Sequence, residues 1–536
     1  MEIKNVIKWL KIVLCIIVLI VLSLCIIRLF SIIYHVLKLE FNYTYTWDSP
    51  IYWAVGRGYL NGITPYNGLF ETKPPGIFLI SAFSLLLTND VLIGNIINGI
   101  CLIFMVIVPV IFSIIYYKNE KIPIRILILF LSLVIGSSIM FFTSLRSGKY
   151  QVESYGSGFA SLYLLVIVLI NTKKVKWYSF SIILSGFFAM LSIMMKEPFL
   201  LIIIASSLLF IESFEDLGYK LFLPLVYGGI MGVIVMLVTN SLIPYCSIYL
   251  KHMLFSHVST HGPLVNRIFK FDKIISDLHN YNTYFHDLIF GLIVFYLIYN
   301  LCKLVKLEKI RFLKRFIVLF NFAKFAVAII LVIISVALGG QFYNHHYAFA
   351  SPFYLALGLF FIKKIKDFSY VYLRYAILSF AALLCILNIL FYSPAVISFP
   401  SDVLNYNKDI REQAHYVDMV LDELGVDQYL QLGFNQVNKF YGLTRHSPLG
   451  PVFFQDPNNF KDENSWFVKE FIKQLDKAEV IIIDKKYGYN VKVINTYTRL
   501  YIESNFTLTE PKEIQDIDVP ESFSIRYQIM FRIPQN

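Results

Sequence analysis

Apolar runs of roughly 20 residues, separated by short polar segments, repeat along most of this chain. A helix needs about 20 apolar residues to cross a bilayer, so the pattern predicts a polytopic membrane protein. The first run has no small-residue cleavage site and is too long for a signal-peptide core, which favours a retained helix. About eleven spanning helices are predicted, near residues 8–30, 91–117, 124–142, 154–171, 177–195, 198–211, 221–243, 286–304, 316–338, 348–362 and 371–392.

The apolar segment 75–88 is short, and whether it spans the membrane decides the side of every later loop. Cytoplasmic loops are enriched in Lys and Arg. With a cytoplasmic N-terminus and an interfacial or re-entrant 75–88, the basic clusters fall inside, at 118–125, 173–176, 303–315 and 363–374. A spanning 75–88 would place these clusters outside. The charge pattern therefore favours an interfacial segment, and it predicts that the outer face holds 31–90, 143–153, 196–197, 244–285, 339–347 and everything after about 393.

Composition supports the membrane assignment. Of 536 residues, 57% are hydrophobic and 15% are charged, whereas soluble proteins carry about a quarter charged residues. The net charge of +11 comes from basic residues between apolar runs, so it reflects topology and indicates no nucleic-acid partner. Six cysteines without paired spacing indicate neither a disulfide framework nor a zinc site. Abundant Ile, Asn, Lys and Tyr are typical of an AT-rich bacterial genome, so the predicted location is the bacterial plasma (inner) membrane.

The C-terminal part of the chain has a different composition from the rest. It holds most of the acidic residues, a strand-like AEVIIIDKK and a helix-like ENSWFVKEFIKQLDKA. We therefore predict an all-α polytopic membrane domain with interfacial helices over 1–395. A small extracytoplasmic α/β domain is predicted over 396–536.

The first outer loop, 31–90, carries the first group of candidate functional residues. Asp48 precedes Ser49-Pro50, a pattern typical of a helix N-cap and first turn. The helix that follows would place Asp48 and Tyr52 on one face and Arg57 on another. Lys73 precedes two prolines, which disfavour helix, and a lysine there could bind a phosphate as a point charge. In the alternative, Asp48 only caps the helix and Lys73 snorkels to lipid headgroups.

Three further polar groups fall on the same predicted face. Glu153 lies where an outer loop re-enters the membrane, either as a functional carboxylate or as a helix cap. Lys196, with Glu197, interrupts two apolar runs, either functionally or as a turn with a local ion pair. The third group is His345, His346 and Tyr347. Because no further Cys or acidic ligand lies nearby, hydrogen bonding to sugar or phosphate suits it better than metal.

The loop 244–285 has the length and polarity of a substrate-facing segment. The sequence does not rank its candidate residues, which are His252, His257, His261 and Arg267.

The first loop resembles that of the GT-C glycosyltransferases, and in particular the bacterial aminoarabinose (lipid A) transferases and the protein O-mannosyltransferases. The matching positions are Asp48, Tyr52, Ala54, Gly62, Pro65, Tyr66, Phe70, Lys73, Pro74 and Pro75. Glu153 resembles the second acidic site of these enzymes, Lys196 a lysine between two later spans, and His346-Tyr347 a late His-Tyr loop. Many relatives carry Asp-Glu where this chain has Asp48-Ser49, so metal dependence does not transfer with the resemblance.

The resemblance implies transfer of a sugar, with inversion, from a polyprenyl-phosphate carrier to an acceptor on the outer face. The acceptor would be a lipid such as lipid A, a surface glycan or a protein. Asp48 would serve as the base and Glu153 would orient hydroxyl groups. The donor phosphate and sugar would be bound by Lys73, Arg57, Tyr52, Lys196, His345, His346 and Tyr347. No cofactor is certain and no metal ligand is assigned, although a divalent cation is possible.

Two other functional classes stay open. A flippase or transporter of lipid-linked glycans should bury charged residues at mid-span and contain discontinuous helices in two related halves. A polysaccharide polymerase or ligase should depend on arginines and a histidine in a large outer loop, and the loop 244–285 keeps this alternative open. The near absence of charge within the spans and the polar groups at one face favour an interfacial enzyme.

Overall fold

Helices account for most of the chain, followed by a small sheet in the C-terminal part. The computed structural model describes residues 20, 23–31, 33–34, 36–38, 48–147, 151–253, 264–270, 273–274, 312–338, 342–366, 403–433, 440–455, 460, 462–485 and 495–534. The predicted spans 286–304 and 371–392, and most of the span 8–30, lie outside these residues.

The helices up to residue 365 differ in length, and some are long enough to cross a membrane whereas others are not. Their bounds are α1 Ser49–Leu60, α2 Gly76–Thr88, α3 Leu92–Tyr116, α4 Ile122–Ser147, α5 Val152–Leu169, α6 Phe180–Met195, α7 Pro198–Leu208, α8 Phe214–Val238, α9 242–252, α10 Leu264–Ile268, α11 Phe312–Leu338 and α12 Asn344–Ile365. Short π-helical turns interrupt α8 at Gly218–Phe222 and α9 at Tyr245–Tyr249, and a 3₁₀ turn interrupts α12 at Ala348–Ala350.

Five helices of the described residues are long and apolar enough to cross a membrane: Leu92–Tyr116, Ile122–Ser144, Val152–Leu169, Phe214–Val238 and Asn344–Ile365. The last of these is longer than the predicted 348–362, because the helix already begins in the polar Asn344–Tyr347 segment. The segment predicted to be interfacial forms α2, with 13 residues. At 1.5 Å per residue, α2 is about 20 Å long, which is short of a typical hydrocarbon core.

Glycines allow several of the membrane helices to pack closely. A Cβ atom on Gly136 of α4 would lie 2.6 Å from Val106 Cα and 2.7 Å from Met105 O, both backbone atoms of α3. On Gly158 of α5 it would lie 2.6 Å from Cys101 Cα, again on α3. Small residues at such crossings let helix backbones approach within van der Waals distance. The α3–α4–α5 group is therefore a tightly packed unit.

The C-terminal part contains a five-stranded mixed sheet with strand order β2-β1-β3-β5-β4. Strand β1 pairs in parallel with β2 and β3, whereas β5 is antiparallel to β3 and β4. The elements of this part are α13 Val403–Glu423, β1 Gln428–Leu432, α14 Phe440–Leu443, β2 Ser447–Pro448, α15 Trp466–Leu475, β3 Val480–Asp484, α16 Thr496–Asn505, β4 Phe506–Thr507, α17 Glu521–Arg526 and β5 Tyr527–Arg532.

Two elements of this part follow from its sequence pattern. The predicted strand AEVIIIDKK contains β3, whose five residues are all buried, as expected for a strand covered on both faces. The predicted helix contains α15. Its N-cap Ser465 accepts a hydrogen bond from the Val468 backbone N–H through its side chain, at 3.2 Å.

One apolar core connects the membrane part with one face of the sheet. Val480 and Ile482 of β3 belong to the same buried cluster as Trp53 of α1. The alternate residues Ile481 and Ile483 point to the other face and pack in a second cluster with α15. The C-terminal sheet is therefore joined to α1 by apolar packing.

Substituting Gly136 by alanine should lower the thermal unfolding temperature of the purified protein in detergent. The new methyl group would overlap backbone atoms of α3 that cannot rotate away, at an expected cost of about 1–3 kcal/mol. Gly229→Ala in α8 is the matched control, because its Cβ would meet nothing within 4 Å in the structure. Equal unfolding temperatures for the two variants would contradict the close α3–α4 packing.

Candidate active site

Asp48 lies at the start of α1, as its sequence context predicted, but its side chain does not cap the helix. It occupies the N-cap position, and its backbone oxygen accepts a hydrogen bond from the Ile51 N–H at 3.0 Å. The carboxylate instead accepts a hydrogen bond from Gln151 Nε2 at Oδ2, at 3.4 Å. The Asp48 side chain therefore does not cap α1 and faces the start of α5.

Gln151 links this carboxylate to a second predicted residue. Its Oε1 accepts a hydrogen bond from the Tyr52 hydroxyl at 3.3 Å, while its Nε2 donates to Asp48. Gln151 is buried and is the N-cap residue of α5. Sequence reasoning missed it, although it lies two positions before Glu153 in the polar stretch GKYQVESYG.

Lys73 lies beside the same group. Its Nζ is 3.5 Å from Glu71 Oε1 and 5.7 Å from the centre of the Tyr52 ring. Its backbone oxygen accepts a hydrogen bond from the Tyr66 hydroxyl at 2.8 Å, and Tyr66 has a left-handed backbone with φ of 67°. Pro75 is the N-cap of α2, which begins at Gly76. Lys73 therefore lies in the bend between α1 and α2, next to the two prolines and held by the Tyr66 hydroxyl.

The charges of this pair are set by burial and by each other. Burial lowers the pKa of Lys73, but the neighbouring carboxylates, Glu71 first, raise it by more, so its pKa lies above the usual value. Burial raises the pKa of Glu71, and the Lys73 ammonium offsets part of that rise. Lys73 is thus a half-buried cation whose carboxylate partner lies at the long end of ion-pair distance.

Glu153 and Lys196 form a short buried ion pair. Lys196 Nζ lies 2.8 Å from Glu153 Oε1, and the side chains are 14% and 0% exposed respectively. Glu153 Oε2 is buried and has no hydrogen-bond partner among the described residues. The alternative of a local ion pair between Lys196 and Glu197 is wrong. Glu197 Oε1 instead accepts hydrogen bonds from the hydroxyls of Tyr245 and Tyr249, at 3.1 and 2.6 Å.

The predicted His345-His346-Tyr347 group divides in two. The His345 ring lies within electrostatic range of Glu153, Lys196, Asp48 and Lys73. His346 is buried with its ring parallel to Phe349, whose ring also lies 5.1 Å from Lys196 Nζ. Tyr347 is fully buried in a separate cluster, where its ring is 5.0 Å from the Arg146 guanidinium carbon. His345 is therefore the member of this group that faces the charged residues.

Arg57 is directed away from these residues. Its Nη2 donates to Asn89 Oδ1 at 2.5 Å and to the Gly442 backbone oxygen at 3.4 Å. Its electrostatic neighbours, Asp418 and Arg445, belong to the C-terminal part. The structure therefore places Arg57 at the contact between α1 and the C-terminal part, apart from the residues predicted to bind phosphate with it.

The charged and polar residues of the candidate site come from five segments and meet at one end of the described membrane helices. They are Asp48 and Tyr52 of α1, Glu71 and Lys73 before α2, Gln151 and Glu153 at the start of α5, Lys196 between α6 and α7, and His345 at the start of α12. Within the described part of the chain, no three His, Cys, Asp or Glu side chains are grouped to hold a metal ion. Of the loop 244–285, His257 and His261 lie outside the described residues.

Comparison with known proteins finds a likeness in structure but none in sequence. No family model matches the sequence, and no curated protein matches it. Among solved structures, the chain is similar to the crystal structure of ArnT from Cupriavidus metallidurans bound to undecaprenyl phosphate. The match has a TM-score of 0.51 at 11% identity and covers 97% of this chain and 99% of that chain.

This chain has an ArnT-like fold. The likeness extends over nearly the whole of both chains, so it includes the membrane helices and the C-terminal sheet. It confirms the predicted fold class, an all-α polytopic membrane protein with a small α/β region at its C-terminal end. The ArnT-like fold also agrees with a multi-pass membrane location.

A double-mutant cycle should show strong coupling between Glu153 and Lys196. Lys196→Met leaves a fully buried carboxylate without its cation, which should destabilise the protein by about 3–5 kcal/mol. Adding Glu153→Gln removes that charge and should recover part of the loss. Thermal unfolding of the two single variants and the double variant in one detergent measures the coupling.

A second buried pair provides the matched control for this cycle. Lys220 Nζ lies 2.6 Å from Asp216 Oδ1, and both side chains are 8% exposed. The same cycle with Lys220→Met and Asp216→Asn should show coupling of the same sign. An additive result at Glu153 and Lys196 would contradict the pairing described here.

Proposed function

We propose that this chain is an integral-membrane glycosyltransferase that moves a sugar from a polyprenyl-phosphate carrier to an extracytoplasmic acceptor, with inversion at the anomeric carbon. The observation that carries the proposal is the meeting of Asp48, Lys73 and the Glu153–Lys196 pair at one end of the membrane helices of an ArnT-like fold. The ArnT of that comparison holds undecaprenyl phosphate, a lipid of the class we assign as donor carrier.

The distribution of basic residues supports an outer location for the site. The helix ends opposite the site carry basic residues, and those at the end of α12 contact neighbouring segments there. Lys366 at the end of α12 donates to the Tyr116 backbone oxygen at the end of α3, at 2.8 Å. Lys363 and Lys364 lie 3.4 and 3.3 Å from Glu212. By the positive-inside rule this basic end is cytoplasmic, which puts Asp48 and the C-terminal sheet outside.

The proposed reaction is a direct displacement at the anomeric carbon. The acceptor hydroxyl oxygen forms a bond to that carbon while the bond from the carbon to the phosphate oxygen breaks. Asp48 accepts the hydroxyl proton as general base, and the polyprenyl phosphate leaves with the bonding electron pair. Attack from the face opposite the leaving group inverts the configuration.

Lys73 supports departure of the phosphate. Charge that develops on a leaving phosphate is stabilised by a fixed cation in a site with little water. The Lys73 side chain is half-buried, and surrounding carboxylates raise its pKa by more than burial lowers it, so the ammonium stays protonated at neutral pH. Its contact with Glu71, at 3.5 Å, is long enough to leave hydrogen-bonding capacity for a phosphate oxygen.

Glu153, Lys196 and His345 form the other half of the proposed site. Glu153 uses one oxygen to bind Lys196, and its second oxygen is buried without a partner in the described residues. Such an oxygen is a strong acceptor for a sugar hydroxyl, because leaving it without a hydrogen bond is costly. We assign these residues to orienting the donor or acceptor sugar. Tyr347 lies in a separate buried cluster, so we assign it no contact with substrate.

Asp48→Asn should reduce transfer by about 10²- to 10⁴-fold, because the amide cannot accept the hydroxyl proton. The measurement is release of polyprenyl phosphate and formation of glycosylated product by purified enzyme. It uses a panel of polyprenyl-phosphate sugars with lipid, glycan and protein acceptors. Asp462→Asn, an exposed change in the C-terminal part, is the matched control and should keep wild-type activity.

Two results would reject the proposed function. Full activity of Asp48→Asn would remove Asp48 as the base. Movement of a lipid-linked glycan across vesicle membranes, without any change in its sugar linkage, would instead identify a flippase.

Gln151→Ala should lower kcat/KM. The amide N–H of Gln151 holds the Asp48 carboxylate in place, so its loss leaves the proposed base less well oriented toward the acceptor hydroxyl. The expected loss is about threefold to tenfold, equivalent to one hydrogen bond. Other charged or titratable groups near Asp48 are Glu71, Lys73, Glu153 and His345, and they remain in place.

Gln413→Ala, which removes an equally buried glutamine from α13, is the control for this change. It should leave kcat/KM unchanged. An unchanged kcat/KM in Gln151→Ala, with transfer still dependent on Asp48, would show that Gln151 does not act on the base.

A further inference from the structure

The C-terminal part binds α1 and the loop that follows it at several separate points. This segment, residues 48–73, contains Asp48 at its start and Lys73 at its end. We propose that the C-terminal part is a fixed positioning element for this segment, and that Arg57 is the positioning residue that anchors it. The inference rests on the proposed function, because it assigns the segment a catalytic role.

Arg57 forms the polar centre of the contact. Arg57 is 6% exposed, and its guanidinium donates to Gly442 of α14 and to Asn89 beyond α2. A charged group this buried is retained only where hydrogen bonds and opposite charge compensate its lost hydration. Asp418 of α13 supplies opposite charge to this guanidinium. Arg57 thus joins three segments, α1, the end of α2 and the C-terminal part.

Close apolar packing surrounds this contact. A methyl group on Gly442 would overlap the Cβ of Trp53, so α14 lies against α1 with no room for a side chain. Trp53 is fully buried and belongs to the apolar cluster that continues into the sheet. The contact is therefore buried and closely packed, which is typical of permanent interfaces.

Hydrogen bonds extend the contact along the segment from Arg57 toward Lys73. Asn61 Nδ2, just after α1, donates to Ser447 Oγ at 2.7 Å and to the Arg445 backbone oxygen at 2.9 Å. The Phe70 N–H, three residues before Lys73, donates to the Pro451 oxygen at 2.9 Å. An exposed ion pair between Arg411 and Asp90, at 2.5 Å, adds a contact beyond α2.

These contacts limit how the segment can move. Asp48 is the N-cap of the helix that carries Arg57, and Lys73 lies three residues after Phe70, whose backbone N–H is bonded to the Pro451 oxygen. A displacement of about 1 Å between reacting groups can reduce a rate by about 100-fold. Release of the segment from the C-terminal part should therefore slow the chemical step and leave binding of the donor largely intact.

The first test separates a positioning role from a phosphate-binding role for Arg57. Arg57→Ala should reduce kcat about tenfold to 100-fold with little change in KM for the donor, and Arg57→Lys should retain more activity. Gly442→Ala should reduce kcat in the same way, because its methyl group separates α14 from α1, whereas Gly229→Ala should have no effect. A raised donor KM with unchanged kcat in Arg57→Ala would overturn the proposal.

The second test fixes the contact covalently in the full-length protein. Asn61→Cys and Ser447→Cys place two thiols across the interface, and a short bifunctional thiosulfonate can link them. Intact mass measures linkage independently of activity, with each single cysteine variant as the control. Linked enzyme should keep wild-type activity, and linkage should restore most of the activity lost in Arg57→Ala.

Three outcomes of the second test would overturn the positioning role. They are failure to link, inhibition of turnover by the link, or no restoration in Arg57→Ala. Inhibition would show that the C-terminal part must move during turnover. All of these differ from failure of the proposed function, which would appear as full activity of Asp48→Asn whatever the state of the link.

Discussion

A buried carboxylate at the end of a membrane helix constrains much of this molecule. Glu153 is fully buried in the first turn of α5, where an unpaired charge would be very costly. Lys196, at the junction of α6 and α7, offsets that cost because it forms a 2.8 Å ion pair with Glu153. The pair therefore requires the start of α5 to lie beside that junction. Phe349 of α12 lies against the same ammonium, so the ends of four helices are brought together at this point.

The start of α5 also connects the two halves of the proposed site. Gln151 and Glu153 are two residues apart, and they reach Asp48 and Lys196 respectively. A change in the position of this helix end would move both partners together. The site thus has a rigid support in a membrane helix. The segment with Asp48 and Lys73 belongs to no membrane-length helix, and its support comes from the C-terminal part.

Sequence patterns predicted the fold class and most of the charged residues of this site, because each such residue interrupts an apolar context where charge is costly. Sequence patterns could not predict which charged residues pair with each other. Lys196 adjoins Glu197 in sequence but pairs with Glu153, 43 residues away, and only the packing of α5 against α6 decides between them. Gln151 was missed because a neutral amide beside a loop carries no distinctive signal.

Arg57 shows a different limit of sequence reasoning. Four residues after Trp53 in an outer loop, it has the chemistry expected of a phosphate ligand. The Arg57 side chain instead points from α1 to the C-terminal part. No local sequence pattern predicts a contact with residues so distant in the chain. The end of the helix at Leu208 likewise needed coordinates, since the apolar run continues to residue 211.

The hydrogen bond from Arg57 to Gly442 joins residues 385 positions apart, and this separation matters for biogenesis. A ribosome releases α1 long before the sheet, so the first loop is made before the later helices are inserted and before its partner exists. During that interval Trp53 and Arg57 lack their covering surface. Newly made chains therefore pass through a stage in which the membrane helices are in place and the first loop is still incomplete. A chaperone or quality-control protease that acts on unfinished chains would find its target in that loop.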